Sequence, residues 1–230
     1  MSSCESIQGT LSGLRVVIDA GPTYEDIDPV RFLGNRSSGK MGFAVAEAAV
    51  EAGAKVTLIA GPVALATPPG VARRIDVRSA RQMREAVMQA VDRADIFIAT
   101  AAVADWRVAE YSARKIKKST SCAPVLELVE NPDILAEVAA RNPRPFVVGF
   151  AAETDHVAEH AHEKLVRKNL DMLAANHVDE RIGIGADDNA LELIWRDGGE
   201  SLPRAPKSAL ARKLVARIAA RYHARTGKPA

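Results

Sequence analysis

Leu14-Arg-Val-Val-Ile-Asp-Ala20, Met41-Gly-Phe-Ala-Val-Ala-Glu-Ala-Ala-Val-Glu-Ala52 and Lys55-Val-Thr-Leu-Ile-Ala60 are the three runs whose reading decides the fold. The first is short and apolar, as a buried strand requires. The second puts Phe43, Ala46 and Val50 on one helical face, and the third is a strand closed by Gly61-Pro62. Strand, helix, strand in this order implies parallel pairing with a right-handed crossover. The alternation continues with a helix over 80–92, in which Met83, Val87, Ala90 and Val91 point inward, and a strand over 95–99. A helix follows over 132–141, with Pro132 in its first turn where a missing N–H costs nothing. Then come a strand over 146–150, a helix over 155–168 and a short strand over 172–175. The expected fold is α/β, a Rossmann-like doubly wound and mostly parallel sheet. The C-terminal part differs: residues 190–195 alternate in strand fashion and Asp197-Gly-Gly-Glu200 reads as a turn, which predicts an appended antiparallel hairpin. Ser208 is expected to cap a last helix carrying Leu210, Leu214, Ile218 and Tyr222 at four-residue spacing. The reading makes residues 1–10 a flexible tail or linker and 11–225 a single domain.

The connection between the first strand and helix is far too long. Residues 21–42 replace a link that normally takes roughly 2 to 6 residues. Within it, Gly34-Asn-Arg-Ser-Ser-Gly-Lys-Met41 matches most of a phosphate-binding P-loop, G-x-x-x-x-G-K. Met41 stands where a Ser or Thr should hold magnesium, and the motif does not follow its strand directly. What survives is physical: Ser37, Ser38 and Gly39 sit at a helix N-terminus, where free backbone N–H groups and the helix dipole favour an anion. Simple helix capping is the competing reading. A second irregular stretch runs from 100 to 130. Both leave strands at their carboxyl ends, where open α/β sheets bind ligands.

Bulk properties exclude several classes. The chain has 230 residues, 31 Lys plus Arg against 29 Asp plus Glu, and a formal charge of +2. That gives no general pull toward nucleic acid or anionic membrane. Cys4 and Cys122 form no metal spacing, which fits a reducing, cytoplasmic setting rather than a disulfide framework. No apolar run approaches the ~18 residues needed to span a bilayer. No G-x-G-x-x-G follows a strand, which disfavours an NAD-type oxidoreductase. His156-Val-Ala-Glu-His160 spells an inverted zinc motif, but no third ligand is evident and a polar helix face is the better reading. Lys115-Ile-Lys-Lys118 is a dense cation patch, either a solvated loop or a lid over polyphosphate. Lys164 and Lys168, four apart, share a helix face and suit either phosphate or solvent.

Taken in order, several segments closely resemble one family. They are Ala20-Gly-Pro-Thr, Asp28-Pro-Val-Arg-Phe, Asn35-Arg-Ser-Ser-Gly-Lys-Met-Gly-Phe, Ala60-Gly-Pro-Val, Ala101-Ala-Val-Ala-Asp-Trp, Lys115-Ile-Lys-Lys, Asn131-Pro-Asp-Ile, Val148-Gly-Phe-Ala-Ala-Glu-Thr, and Lys164 through Asn169-Leu-Asp. The chain resembles the bacterial CTP-using phosphopantothenate–cysteine ligases from about Leu11 to Tyr222. The resemblance implies ligation of 4'-phosphopantothenate with L-cysteine through an acyl-cytidylate, giving CMP and pyrophosphate, a step of coenzyme A synthesis. It assigns catalytic roles to Asn35, Arg31 and Lys115. It places CTP on Ala101, Asp105, Lys115, Asn131, Pro132, Asp133, Ile134, Phe150, Lys164 and Lys168, beside the helix N-terminus at Ser37, Ser38 and Gly39 read above as a substrate or phosphate loop. Magnesium is implied with the triphosphate, through Asp105 or Asp133, and no flavin is expected in this chain. The implied partners are a second copy of the chain and a decarboxylase domain or subunit. One departure stands out: Asp19 occupies a position where a Thr or similar neutral residue is expected, and a carboxylate facing a triphosphate would repel it. On that ground a nucleotide-binding module without chemistry is the alternative reading.

Overall fold

The computed structural model describes residues 7–117, 123–153, 157–177 and 185–227, with backbone alone at 152–153, 157–161 and 177. Its elements are β1 Arg15–Ala20, β2 Tyr24–Asp26, β3 Phe32–Gly34, α1 Lys40–Glu51, β4 Lys55–Ala60, β5 Arg73–Asp76, α2 Ala80–Val91, β6 Ile96–Ala99 and β7 Trp106–Val108. They continue with β8 Leu128–Glu130, α3 Ile134–Ala139, β9 Phe146–Glu153, α4 Val157–Arg167, β10 Met172–His177, β11 Asp188–Trp195, β12 Gly198–Pro206 and α5 Lys207–Thr226.

One sheet runs in the order β12-β11-β10-β9-β6-β1-β4-β5. Its strands from β10 to β5 are parallel, and β11 and β12 add an antiparallel edge. The expected doubly wound α/β sheet with its hairpin is therefore what forms. Central β1 is buried on both faces, which is why it reads as a continuous apolar run. Alternation sorts the strand residues between two cores. Val16, Ile18, Ile98, Val148, Met172 and Ala174 pack with α1 and α5. Val17, Phe97, Val147, Leu173 and Ala175 pack with α2, α3 and Leu165 of α4.

Several expectations need correction. Residues 21–42 are not a bare loop: β2 and β3 form an antiparallel ribbon within them. A second ribbon, β7–β8, lies in the 100–130 stretch, and edge strand β5 was not foreseen. Pro132 precedes α3; Asp133 is the cap, its carboxylate accepting from Ala136 N. Ser208 lies inside α5, whose cap position is Pro206 with no side-chain bond. The hairpin turn is tighter than Asp197-Gly-Gly-Glu200, because β12 already begins at Gly198. His156 lies outside the described residues. Ile7 is buried with Leu11, and His223 Nε2 meets the Thr10 carbonyl at 2.8 Å, so packing reaches back to Ile7.

Candidate active site

The first two exit loops at the carboxyl edge of the sheet are fastened together residue by residue. Asp19 Oδ1 accepts from Thr100 N at 2.7 Å and Ala101 N at 2.8 Å. Ala102 N donates to Gly21 O at 2.9 Å, and Ala104 N to Thr23 Oγ1 at 2.9 Å. Asn35 Nδ2 donates to Val103 O at 2.9 Å. Asn131 closes the other side: its Nδ2 donates to Ala104 O and its N to Asp105 O, both at 2.8 Å. Six backbone groups of the segment 101–105 (Ala101 N, Ala102 N, Ala104 N, Val103 O, Ala104 O and Asp105 O) are thus tied to β1, its exit loop, Asn35 and Asn131, which fixes the segment as the floor of the site. Helix α1 approaches it closely because position 42 is glycine. A Cβ there would stand 2.2 Å from Thr100 Oγ1 and 2.6 Å from Ala20 Cβ.

Over this floor lies a cleft of 720 Å³, inside the roughly 300–1,000 Å³ range of small-molecule sites. One wall is the start of α1. Gly39, at φ 74°, is its cap and no side chain caps it. Ser37 Oγ accepts from Gly39 N at 3.3 Å and Ser38 Oγ from Lys40 N at 3.4 Å. The opposite wall is Asn131 to Leu135 with Lys164 and Lys168 of the α4 region. Lys168 Nζ pairs with Asp133 at 2.7 Å. Burial pushes the Asp133 carboxyl up, but Lys168 and the Ala136 amide outweigh it and hold it below its usual value. Asp19 is 2% exposed. Burial outweighs its two backbone donors, at Ala101 and Thr100, and raises its carboxyl to about 6.

Residues 11–222 match the family described as DNA/pantothenate metabolism flavoprotein C-terminal domain. The chain belongs to this family. It is 50% identical over 216 residues to the coenzyme A biosynthesis bifunctional protein CoaBC of Escherichia coli strain K12, covering 92% of this chain and 53% of that protein. To the Vibrio cholerae protein of the same name it is 55% identical over 204 residues, covering 87% and 51%. The chain therefore spans about half the length of these curated relatives. A crystal structure of the C-terminal domain of CoaBC superimposes with a TM-score of 0.79 at 39% identity, covering 93% of this chain and 97% of that one. A Cab2 variant in complex with phosphopantothenate-cysteine shares the fold at a TM-score of 0.76 and 16% identity, covering 98% and 91%.

Within this family member, the cleft gathers most of the expected positions. Asn35, Ser37, Ser38 and Gly39 line one side, Ala101 and Asp105 the floor, and Asn131, Pro132, Asp133, Ile134, Phe150, Lys164 and Lys168 the other. Arg31 and Lys115 are the exceptions, for neither lines it. Arg31 Nη2 is drawn to Asp28 Oδ2 at 2.5 Å and to Ile116 O at 2.6 Å, and Lys115 is exposed beside that contact. Asp19, Asn176, Asn189, Lys40 and Lys207 also line the cleft. Asn176, Asn189 and Lys207 carry no sequence signal, since only the sheet order brings the ends of β10 and β11 beside α1 and α5, whereas Lys40 belongs to the Gly34–Met41 motif. Asp19, which departs from the family pattern, borders the cleft while 2% exposed and bonded to the Thr100 and Ala101 amides. The residues also fit magnesium at Asp105. Asp133 is engaged by Lys168 and Ala136, and Asp19 by two amides, whereas the exposed Asp105 carboxylate has no hydrogen bond or ion pair among the described residues. Among the described residues no cluster of His, Cys, Asp and Glu suits a metal held by protein alone, and no helix is long and apolar enough to cross a membrane.

Proposed function

We propose that the chain is a CTP-dependent phosphopantothenate–cysteine ligase acting in coenzyme A synthesis in the cytoplasm. The observation that carries this reading is the cleft itself. It sets an amide (Asn35) and an uncapped helix N-terminus opposite two lysines, across a fixed backbone floor, with no Cys or His among its described lining residues. That arrangement suits a reaction whose nucleophiles both come from the substrates. The carboxylate oxygen of 4'-phosphopantothenate attacks the α-phosphorus of CTP, and the bond to the departing pyrophosphate breaks. The cysteine nitrogen then attacks the acyl carbon, and the C–O bond breaks with its electron pair leaving on CMP. The ammonium gives up two protons to water across the step. Lys164, Lys168 and the α1 amides offset phosphate charge, the dominant contribution in such transfers. Asn35 spends one Nδ2 hydrogen on Val103 O. Its second can meet the oxygen that gains charge, without adding a competing nucleophile. Magnesium, when bound with the triphosphate through Asp105, supplies further charge neutralisation.

The homodimer is proposed on a separate observation. Val30 (61% exposed), Phe32, Trp106, Tyr111, Val125 (94%) and Leu128 are large, apolar and exposed, and all belong to the two small ribbons and their connections. Exposed apolar side chains gathered on these two ribbons and their connections call for a covering surface, and Arg31 lies between Val30 and Phe32 in sequence. A decarboxylase half is the further partner we propose, by analogy with the bifunctional relatives. The test is pyrophosphate release by the purified chain. It should require both CTP and phosphopantothenate, proceed as a single burst without cysteine, and turn over with it. Asn35→Asp should suppress the burst by at least roughly a hundredfold. No pyrophosphate with either CTP or ATP would refute the proposal and leave the module without chemistry, the reading Asp19 favours.

A further inference from the structure

The wall opposite the α1 terminus is one segment thick at its start. Glu130, Asn131 and Pro132 line the cleft on one side and, on the other, an outer groove of 820 Å³ beside α2 and α3. Arg107, from β7, lines only the outer groove. From there its Nη1 donates to two acceptors in the wall, Glu130 O and, at 3.2 Å, Asn131 Oδ1. Ribbon pairing sets this reach, since Arg107 stands opposite Val129 on β8 and residues 130 and 131 come next along that strand. A guanidinium matches carboxylate and phosphate best. Two carboxylates lining the groove are engaged elsewhere, Glu137 by Arg84 and Asp92 by Arg141. Among the described residues Arg107 has no ion pair, and it gives its donors to a main-chain carbonyl and a neutral amide.

The Asn131 amide has two chemically opposite ends, and each meets its own partner. Nδ2 donates to Ala104 O of the floor at 2.8 Å, and Oδ1 accepts from Arg107. Turned by half a revolution, the amide would set oxygen against the Ala104 carbonyl and N–H against the guanidinium, two repulsive contacts in place of two attractive ones. One Nδ2 hydrogen remains unspent among the described residues, and its direction depends on how the amide is held. Asn131 N donates to Asp105 O at 2.8 Å. The start of the wall is thus fastened to the floor in front and to Arg107 behind. Pro132 follows, and then Asp133, which caps α3 through Ala136 N and pairs with Lys168. An error in the setting of Asn131 is therefore passed along the chain to that cap and its lysine, on the wall that the ligase reading gives to CTP.

Resting on the ligase reading above, we propose that Arg107 is a positioning residue for this wall: it touches no substrate, and it sets the Asn131 amide and the Glu130 carbonyl from behind so that the wall receives the nucleotide. Calorimetry and kinetics on the full chain test this. Arg107→Met keeps an unbranched stem and removes the donors. It should weaken CTP binding roughly tenfold or more, about the worth of one hydrogen bond from a charged group. The KM for CTP should rise alike, while the KM for L-cysteine moves less than about twofold. Arg107→Lys, which keeps a cation and a donor, should recover part of the loss. The decisive arm is the pair of backgrounds. With Asn131→Ala already in place, Arg107→Met should cost less than about threefold in CTP binding, because the amide it positions is gone. Should Arg107→Met not fold, Arg107→Lys in the two backgrounds carries the same comparison. Equal losses in both backgrounds, an equal rise in the KM for cysteine, or unchanged CTP binding overturns the assignment. If the wild-type chain binds no CTP, the ligase reading falls, and NMR relaxation on the unloaded chain decides Arg107. The Asn131 side-chain amide should then be as ordered as the backbone in the wild type and markedly less so in Arg107→Met; equal order in the two overturns the role.

Discussion

Replacing Asp19 by Asn should stabilise the protein, and by an amount that depends on pH in a defined direction. The carboxyl is buried and its pKa stands at about 6 instead of 3.8. A rise of about 2 units corresponds to about 3 kcal/mol. Between pH 3.8 and about 6 the folded protein keeps a proton that the unfolded chain has released. Stability from this group therefore falls as pH rises through that window; the penalty is absent below it and complete above it. An amide keeps an Oδ1 for Thr100 N and Ala101 N and removes the charge. Asp19→Asn should thus be more stable by about 3 kcal/mol at pH near 8, or roughly 6–12 °C in Tm for a chain of this size. The advantage should shrink toward zero by pH near 4. Urea unfolding of both proteins across that range isolates the effect, since every other carboxylate is common to the two. A variant no more stable near pH 8, or one whose advantage does not vary with pH, would refute the burial argument.

Gly42→Ala should cost about 1–3 kcal/mol by wedging α1 off Thr100 and Ala20, measured by denaturant unfolding. Lys168→Met should weaken CTP binding by roughly tenfold or more in calorimetry, since it removes a cation from the wall and leaves Asp133 facing the nucleotide unpaired. Asp28→Asn should loosen the 111–117 segment and quicken its hydrogen exchange. The Asp28 carboxyl lies well below its usual range because of its bond to Arg31, so in the wild type the tether should persist down to acid pH and release only as the carboxyl is protonated.

The inner strands of the sheet were legible because they are buried on both faces, and the helices because they are buried on one. Runs such as Val16-Val-Ile18 and the spacing of Phe43, Ala46 and Val50 admit little else. The small ribbons were not. In β2 (Tyr-Glu-Asp) and β3 (Phe-Leu-Gly), three residues give no usable period, and what holds them lies elsewhere in the chain. Glu25 accepts from Ala80 N, and Tyr24 stacks on Phe32 under the Arg78 guanidinium. The same limit applies to the cleft. Residues clustered in motifs were placed together by resemblance, and all but Arg31 and Lys115 meet. Asn176, Asn189 and Lys207 are scattered, and only strand order unites them.

The two absentees share one physical cause. Asp28, 1% exposed, collects N–H donors from Val30, from Arg31 three times over, and from Ile116. Arg31 Nη2 returns a bond to Ile116 O. Arg31 and the Lys115 segment are therefore one unit, clamped by a single buried carboxylate on the apolar ribbon face. A clamp that strong keeps either residue from swinging into the cleft alone, because leaving would strand Asp28 without its charge partner. A motion of Arg31 that keeps its bonds must carry the segment around Ile116 along with it. On these grounds we propose that Arg31 and the Lys115 segment act at the contact between copies proposed above, and Asp28→Asn, by breaking the unit, should impair turnover more than CTP binding in calorimetry.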